Sequence, residues 1–118
     1  MYIPISMGTI VSPDGRFEWE DVKNTQNKKD HGFYFEEVLA AFDDPFFLEA
    51  YDDGHSTLDE IRLKGITSFD WRIYFFLSNT EREERTRMIS ARLSEPHERM
   101  YYDKNYGRQI LGYESGII

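Results

Sequence analysis

A chain of 118 residues, 40% hydrophobic and 16% aromatic, carries enough apolar material for one core and is not the composition of a disordered polypeptide. Its net charge of −8 makes the molecule as a whole repel nucleic acid, and the lack of cysteine removes disulfides, thiol catalysis and zinc–thiolate sites. No apolar run reaches the roughly 18 residues of a membrane helix, and the opening MYIPISMGTIV lacks the basic start of a signal peptide, so no membrane association and a cytoplasmic location are expected.

Residues 1–16 are weakly patterned and read as an N-terminal extension. Ser12-Pro13-Asp14-Gly15 is a turn signal, so Ile3–Val11 is a candidate extra strand folding back on Phe17–Trp19. Asp21 to His31 is polar and helix-compatible, with Gly32 placed just past the helix end. Phe35, Val38, Leu39 and Phe42 fall at i, i+3, i+4 and i+7 and predict a second helix, ended by Pro45. Phe46–Tyr51 reads as a strand leading into the loop Asp52-Asp53-Gly54-His55.

Glu60–Thr67, Trp71–Ser78 and Arg85–Ala91 are three further strands. Their short links, 68–70 and 79–84, favour an antiparallel meander. A final helix starts after Ser94, with Glu95 and Pro96 in its first turn, and runs to Ile110 before a frayed tail at 112–118. The expected fold is therefore α+β: two N-terminal helices and a C-terminal helix on an antiparallel sheet of about four strands, with one sheet face left open.

Charge is spread unevenly along these elements. Residues 36–60 hold nine carboxylates and no Lys or Arg, whereas the remainder holds 14 basic and 13 acidic residues. A solvated acidic surface accounts for the first stretch, and a basic face built from the second half can still bind phosphate. The run RTRMISAR at 85–92 is the focus of that half. Strict strand alternation puts Arg87, Ile89 and Ala91 on one face and Met88, Ser90 and Arg92 on the other. Guanidiniums on both faces imply either an anion site or an ion-pair network.

Several stretches resemble one family when taken together. FEWEDVKNTQNKKDHGFYFEEV at 17–38 resembles the opening of the BrnT family of type II toxins, and FDDP at 42–45, DDGHS at 52–56, DEIR at 59–62, Gly65 and RMISARLSEPHERMYY at 87–102 follow in the family's order. The resemblance covers residues 17–102 as a toxin domain, leaving 103–118 as the helix end and tail. It implies a RelE-like fold, a ribonuclease that blocks translation, and neutralisation by a BrnA-type antitoxin whose complex binds operator DNA. Three departures from the family pattern stand out: Asp30 replaces a lysine, Tyr34 a helix-capping serine, and Leu93-Ser94 a Lys-Ala pair. The first and last remove positive charge from a protein that must approach RNA, so a non-catalytic member acting through antitoxin or other protein binding is the alternative.

Cleavage of RNA by its own 2′-hydroxyl needs a base, an acid for the leaving 5′-oxygen, and cations for the charged phosphorane. It needs no metal or other cofactor, and none is expected. His55 and Glu60 are the acid/base candidates, Arg62, Arg87 and Arg92 the cations. Lys23 and Tyr101 are candidates for binding the RNA, Tyr101 by a hydrogen bond or by stacking a base. Plainer roles stand beside each: His55 as a turn residue, Glu60 and Arg62 as an ion pair on one strand face, Lys23 as a solvated helix residue, and Glu98 as partner to an arginine. Asp52, Asp53 and His55 are too few donors to argue a metal site. A small-molecule enzyme of another type has no support, since the chain has no Gly-rich phosphate loop, nucleophile elbow or paired-histidine spacing.

Overall fold

The computed structural model describes residues 8–70 and 72–111, the last five as backbone alone. Strand β1 (Thr9–Val11) turns through Ser12–Gly15 into β2 (Phe17–Glu20), which runs straight into helix α1 (Asp21–His31). Two 3-10 turns, Phe35–Glu37 and Leu39–Asp43, lead to β3 (Leu48–Tyr51). A meander follows of β4 (Arg62–Phe69), β5 (Ile73–Arg82) and β6 (Arg85–Leu93), and helix α2 (Pro96–Leu111) closes the order. All six strands form one sheet in the order β1-β2-β6-β5-β4-β3, antiparallel throughout except for the parallel pair β2–β6.

The first hairpin is made by its turn. Gly15 takes φ 76°, its N–H bonds the Ser12 carbonyl at 2.9 Å, and the Ser12 hydroxyl accepts from Phe17 N–H at 3.0 Å. Phe17 and Trp19 then point into the core with Phe35, Val38, Phe75, Leu77, Met88 and Ala91, between the sheet and the layer of α1 and the 3-10 turns. Edge-on rings close this layer, Phe33 on Phe75 at 5.1 Å and Trp19 on Phe35 at 6.0 Å. Helix α1 has no apolar stripe, and its buried residues are Asn24 and Asn27. Asn27 donates to the carbonyls of Phe33 (2.8 Å) and Ala91 (2.9 Å) and accepts from Ala91 N–H (3.0 Å). A polar helix is thus fixed to the sheet by hydrogen bonds that a hydrophobic pattern does not reveal.

Helix α2 lies on the opposite face, at the Tyr74 end of β5. Tyr102 packs edge-on against Tyr74 at 5.4 Å and donates to Asp44, which also accepts from Ser68 N–H at 3.0 Å. Burial pushes the Tyr102 hydroxyl far above the ordinary tyrosine range, and Asp44 beside it adds to the shift. Gly65 leaves room for Phe47, since a Cβ there would sit 2.0 Å from that ring.

Three expectations are corrected. The chain does not adopt the RelE-like layout of two N-terminal helices on four antiparallel strands: α1 is the one α-helix before the meander among the described residues, and the sheet is six-stranded and mixed. The Phe35–Phe42 stripe is real as a burial pattern but is delivered by 3-10 turns. The Phe35 N–H bonds Asn24 and the Phe33 carbonyl bonds Asn27, so tertiary partners take the backbone groups with which a helix would start. The link expected at 79–84 is strand as far as Arg82, turning at Glu83-Glu84 with Glu83 at φ 56°. The parts of the expected strands at residues 3–7 and Trp71, and the tail at 112–118, lie outside the described residues.

Candidate active site

Strand β6 contains one residue too many. Ser78 pairs with Ser90 and Asn79 with Met88, which leaves Ile89 as a bulge. The bulge resets the alternation expected for 85–92: Met88 and Ala91 both face the core, while Arg87 and Arg92 share the other face. Cross-strand partners confirm that face, with Arg87 beside Thr80 and Arg62, Ser90 beside Ser78 and Lys64, and Arg92 beside Phe76. Helix α2 covers the Tyr74 end of this side and reaches Arg92 through Glu98, while Lys64 stays exposed to solvent.

The loop 52–57 brings in an imidazole. Asp52 N–H bonds the Arg62 carbonyl at 2.8 Å, Ser56 Oγ donates to the Asp52 carbonyl at 2.7 Å and accepts from Arg62 N–H at 2.9 Å. His55 is thereby held beside β4, its Nδ1 bonded to Asp52 at 2.9 Å. A carboxylate only accepts, so Nδ1 carries the proton and Nε2 is left for other partners. Asp52, His55, Arg62, Lys64, Phe76, Ser78, Ile89, Ser90 and Arg92 line a cavity of about 420 Å³.

Carboxylates accompany most of these cations. Arg92 makes two parallel 2.9 Å bonds to Glu98 and lies 4.2 Å over the Phe76 ring. Burial alone would push the Glu98 carboxyl up; Arg92 and the Glu95 N–H outweigh it and hold Glu98 below its ordinary range. Arg87 is bonded by buried Glu18 and by Glu20, the latter at 3.0 Å. Arg62 Nε bonds Glu60 at 2.9 Å and lowers that carboxyl, helped by the charges of Arg82 and Lys23. Burial tends to raise Asp52, but the bond and charge of His55 and the charge of Lys64 leave it lowered. Lys64 is exposed and belongs to no ion pair among the described residues.

The Glu98 shift gives a pH dependence with a definite sign. Its folded pKa lies below the unfolded value of about 4.3, so its stabilisation is present above that value and is lost as pH falls through the folded one. The urea midpoint is expected to drop between pH 5 and pH 3, and Glu98→Gln to flatten part of that drop. An unchanged slope in the variant would assign the acid sensitivity to other carboxylates.

The sequence candidates are only partly gathered. His55, Arg62 and Arg92 line the cavity, and Glu60 joins through Arg62. Arg87 shares the face but is enclosed by Glu18 and Glu20. Lys23 is exposed on α1 and reaches the site only as a charge felt by Glu60, while Tyr101 is exposed on α2 and does not line the cavity. Sequence reading missed Lys64, Ser78 and Ser90. The alternation that pairs Glu60 with Arg62 extends one step further to Lys64, and that signal was available.

A sheet face bearing guanidiniums, an ammonium and a carboxylate-backed imidazole carries the donor types that phosphate and carboxylate groups accept from. The chain belongs to the BrnT family, ribonuclease toxins of type II toxin–antitoxin systems, whose model matches residues 19–98. Among solved structures it is similar to the 1.1 Å crystal structure of the Brucella abortus ribonuclease toxin, BrnT, at 20% identity and a TM-score of 0.46, over 65% of this chain and 92% of that one. No curated protein matches it. Membership implies an antitoxin partner. Among the described residues no helix is long and apolar enough to cross a membrane.

Proposed function

We propose that this chain is a cytoplasmic endoribonuclease that cleaves RNA by attack of the 2′-hydroxyl on the adjacent phosphorus, without a metal, and thereby inhibits translation. The observation that carries this reading is the convergence of His55, Arg62, Lys64 and Arg92 on one open cavity. The P–O2′ bond forms as the P–O5′ bond breaks, leaving a 2′,3′-cyclic phosphate and a 5′-hydroxyl. His55 is the better proton carrier, because Asp52 orients its ring and leaves Nε2 free, whereas the Arg62 bond weakens Glu60 as a base. Arg62, Arg92 and Lys64 supply positive charge to the phosphorane, with Arg87 adding to the field from the next row. Lys23 and Tyr101 bind RNA beyond the cavity. A BrnA-type antitoxin neutralises the protein, and the pair binds its operator DNA.

The test is incubation of purified protein with end-labelled RNA in EDTA. Cleavage products ending in a cyclic phosphate are expected, together with loss of activity when the scissile nucleotide is 2′-deoxy and a drop of at least about 100-fold in His55→Ala. Products ending in 5′-phosphate, or a strict need for Mg²⁺, would overturn it. One observation favours the second reading, a non-catalytic member working through protein binding: each arginine of the face is already matched by a carboxylate. A folded wild-type protein that neither cleaves RNA nor arrests growth on induced expression would establish that alternative.

A further inference from the structure

A cavity larger than the His55 one lies at the β3 and β5 end of the sheet, and no residue of α1 or the 3-10 turns lines it. It is about 710 Å³ in volume and runs along β3, β4 and the end of β5. Tyr51 and Leu63 are paired in the sheet and line its wall, and Ile61 lies at its mouth with half its surface exposed. Its lining is predominantly acidic, with Glu49, Asp59, Glu60 and Glu81 against Arg82, and Glu60 is also bonded by Arg62 from outside the lining. Asn79, next to Leu63 in the same row, is fully buried, and neither polar atom of its amide makes a hydrogen bond among the described residues. It is close enough to Glu49 to favour the ionised carboxylate, although burial and the charge of Glu81 together push that carboxyl up. The groove ends at β3, an outermost strand whose outer backbone edge pairs with no described strand.

An exposed apolar wall, an unbalanced acidic lining and a free strand edge are complementary to one kind of occupant. That occupant is a protein segment with lysines or arginines bracketing apolar side chains, laid along β3 as an added strand. RNA is repelled from this groove by the same carboxylates. We propose that the groove between β3 and the end of β5 is where the antitoxin docks, through such a basic and apolar segment, away from the residues that line the His55 cavity. The inference rests on family membership for the existence of the partner, and not on RNA cleavage by the chain. Neutralisation then leaves the cation face itself uncovered by this segment.

The experiment is titration calorimetry of the full chain with the purified antitoxin of its own pair. Glu49→Lys/Glu81→Lys is expected to weaken binding by roughly 30-fold or more, and the milder Glu49→Gln/Glu81→Gln by roughly fivefold. Circular dichroism checks that both variants fold. Lys64→Ala, in the His55 cavity, is expected to change affinity by less than about threefold. Hydrogen exchange at Leu48–Tyr51 is expected to slow in the complex. Loss of binding in Lys64→Ala with the charge-reversed variant unaffected would place the antitoxin on the cation face and overturn the proposal, as would an absence of binding. Binding is read without RNA, so failure here is separate from failure of the ribonuclease reading.

Discussion

Arg92→Ala is expected to lower the unfolding free energy by about 2–3 kcal/mol, at the foot of the range for breaking a buried ion pair. The discount reflects geometry: the Arg92 side chain is 30% exposed, whereas that of Glu98 is 10% exposed. Truncation removes both 2.9 Å bonds to Glu98 and the stacking on Phe76, leaving a mostly buried carboxylate with the Glu95 N–H as its remaining hydrogen bond. For a chain of this size the melting temperature falls by roughly 10 °C. Calorimetry of Arg92→Ala, Glu98→Ala and the double variant reads the coupling directly. The double variant is expected to lose less than the two single variants combined, because the carboxylate is no longer stranded. Strict additivity would show that the pair is not a unit. Arg92 is therefore a residue whose loss of activity must be separated from loss of fold.

Lys64→Ala is expected to do the reverse, cutting RNA cleavage about 100-fold while leaving the melting temperature within about a degree. Lys64 is exposed and in no ion pair among the described residues, and its charge reaches Asp52 only at a distance, so little of the fold depends on it. In the cavity, though, its ammonium is held by no carboxylate contact among the described residues, unlike Arg62 and Arg92. It stands beside Ser78 in the sheet, with His55 on the same cavity wall. Loss of one phosphate contact is also expected to reduce the salt slope of RNA binding by about 0.7. Single-turnover cleavage and binding at several salt concentrations test both. Wild-type rates in Lys64→Ala would return the phosphorane to the arginines and require Arg62 or Arg92 to give up its carboxylate when RNA binds.

The local features of the chain were readable where local chemistry decides. Helix α1 ends where Gly32 takes φ 88°, and α2 opens at Pro96, because terminal residues act on their own turn. Strands β4, β5 and β6 stand within about two residues of their hydrophobic runs wherever the chain is described, short of the polar extension of β5 to Arg82. What escaped were features set by distant partners. The parallel pairing of β2 with β6 depends on residues some seventy positions apart, and the 3-10 turns on what Asn24 and Asn27 bind. The bulge at Ile89 mattered most for the site. Strict alternation separates Arg87 from Arg92, and one unpaired residue reunites them on a single face. The family resemblance of 17–102 suggested candidate site residues without showing that most would meet carboxylates.

The parallel pair β2–β6 also sets an order of events. Glu18 and Arg87, which bond across it, are 69 residues apart. Closing so long a loop is entropically costly, so local hairpins form first and remote pairings late. The meander β4–β5–β6 can zip from its own turns, but β2 must wait for β6 as a template. During synthesis Phe17–Glu20 leaves the ribosome with β1 as its one available sheet partner, its core aromatics exposed and β6 not yet made. The cation-bearing sheet is complete only when the last strand has been delivered, and the nascent chain spends that interval without its full fold.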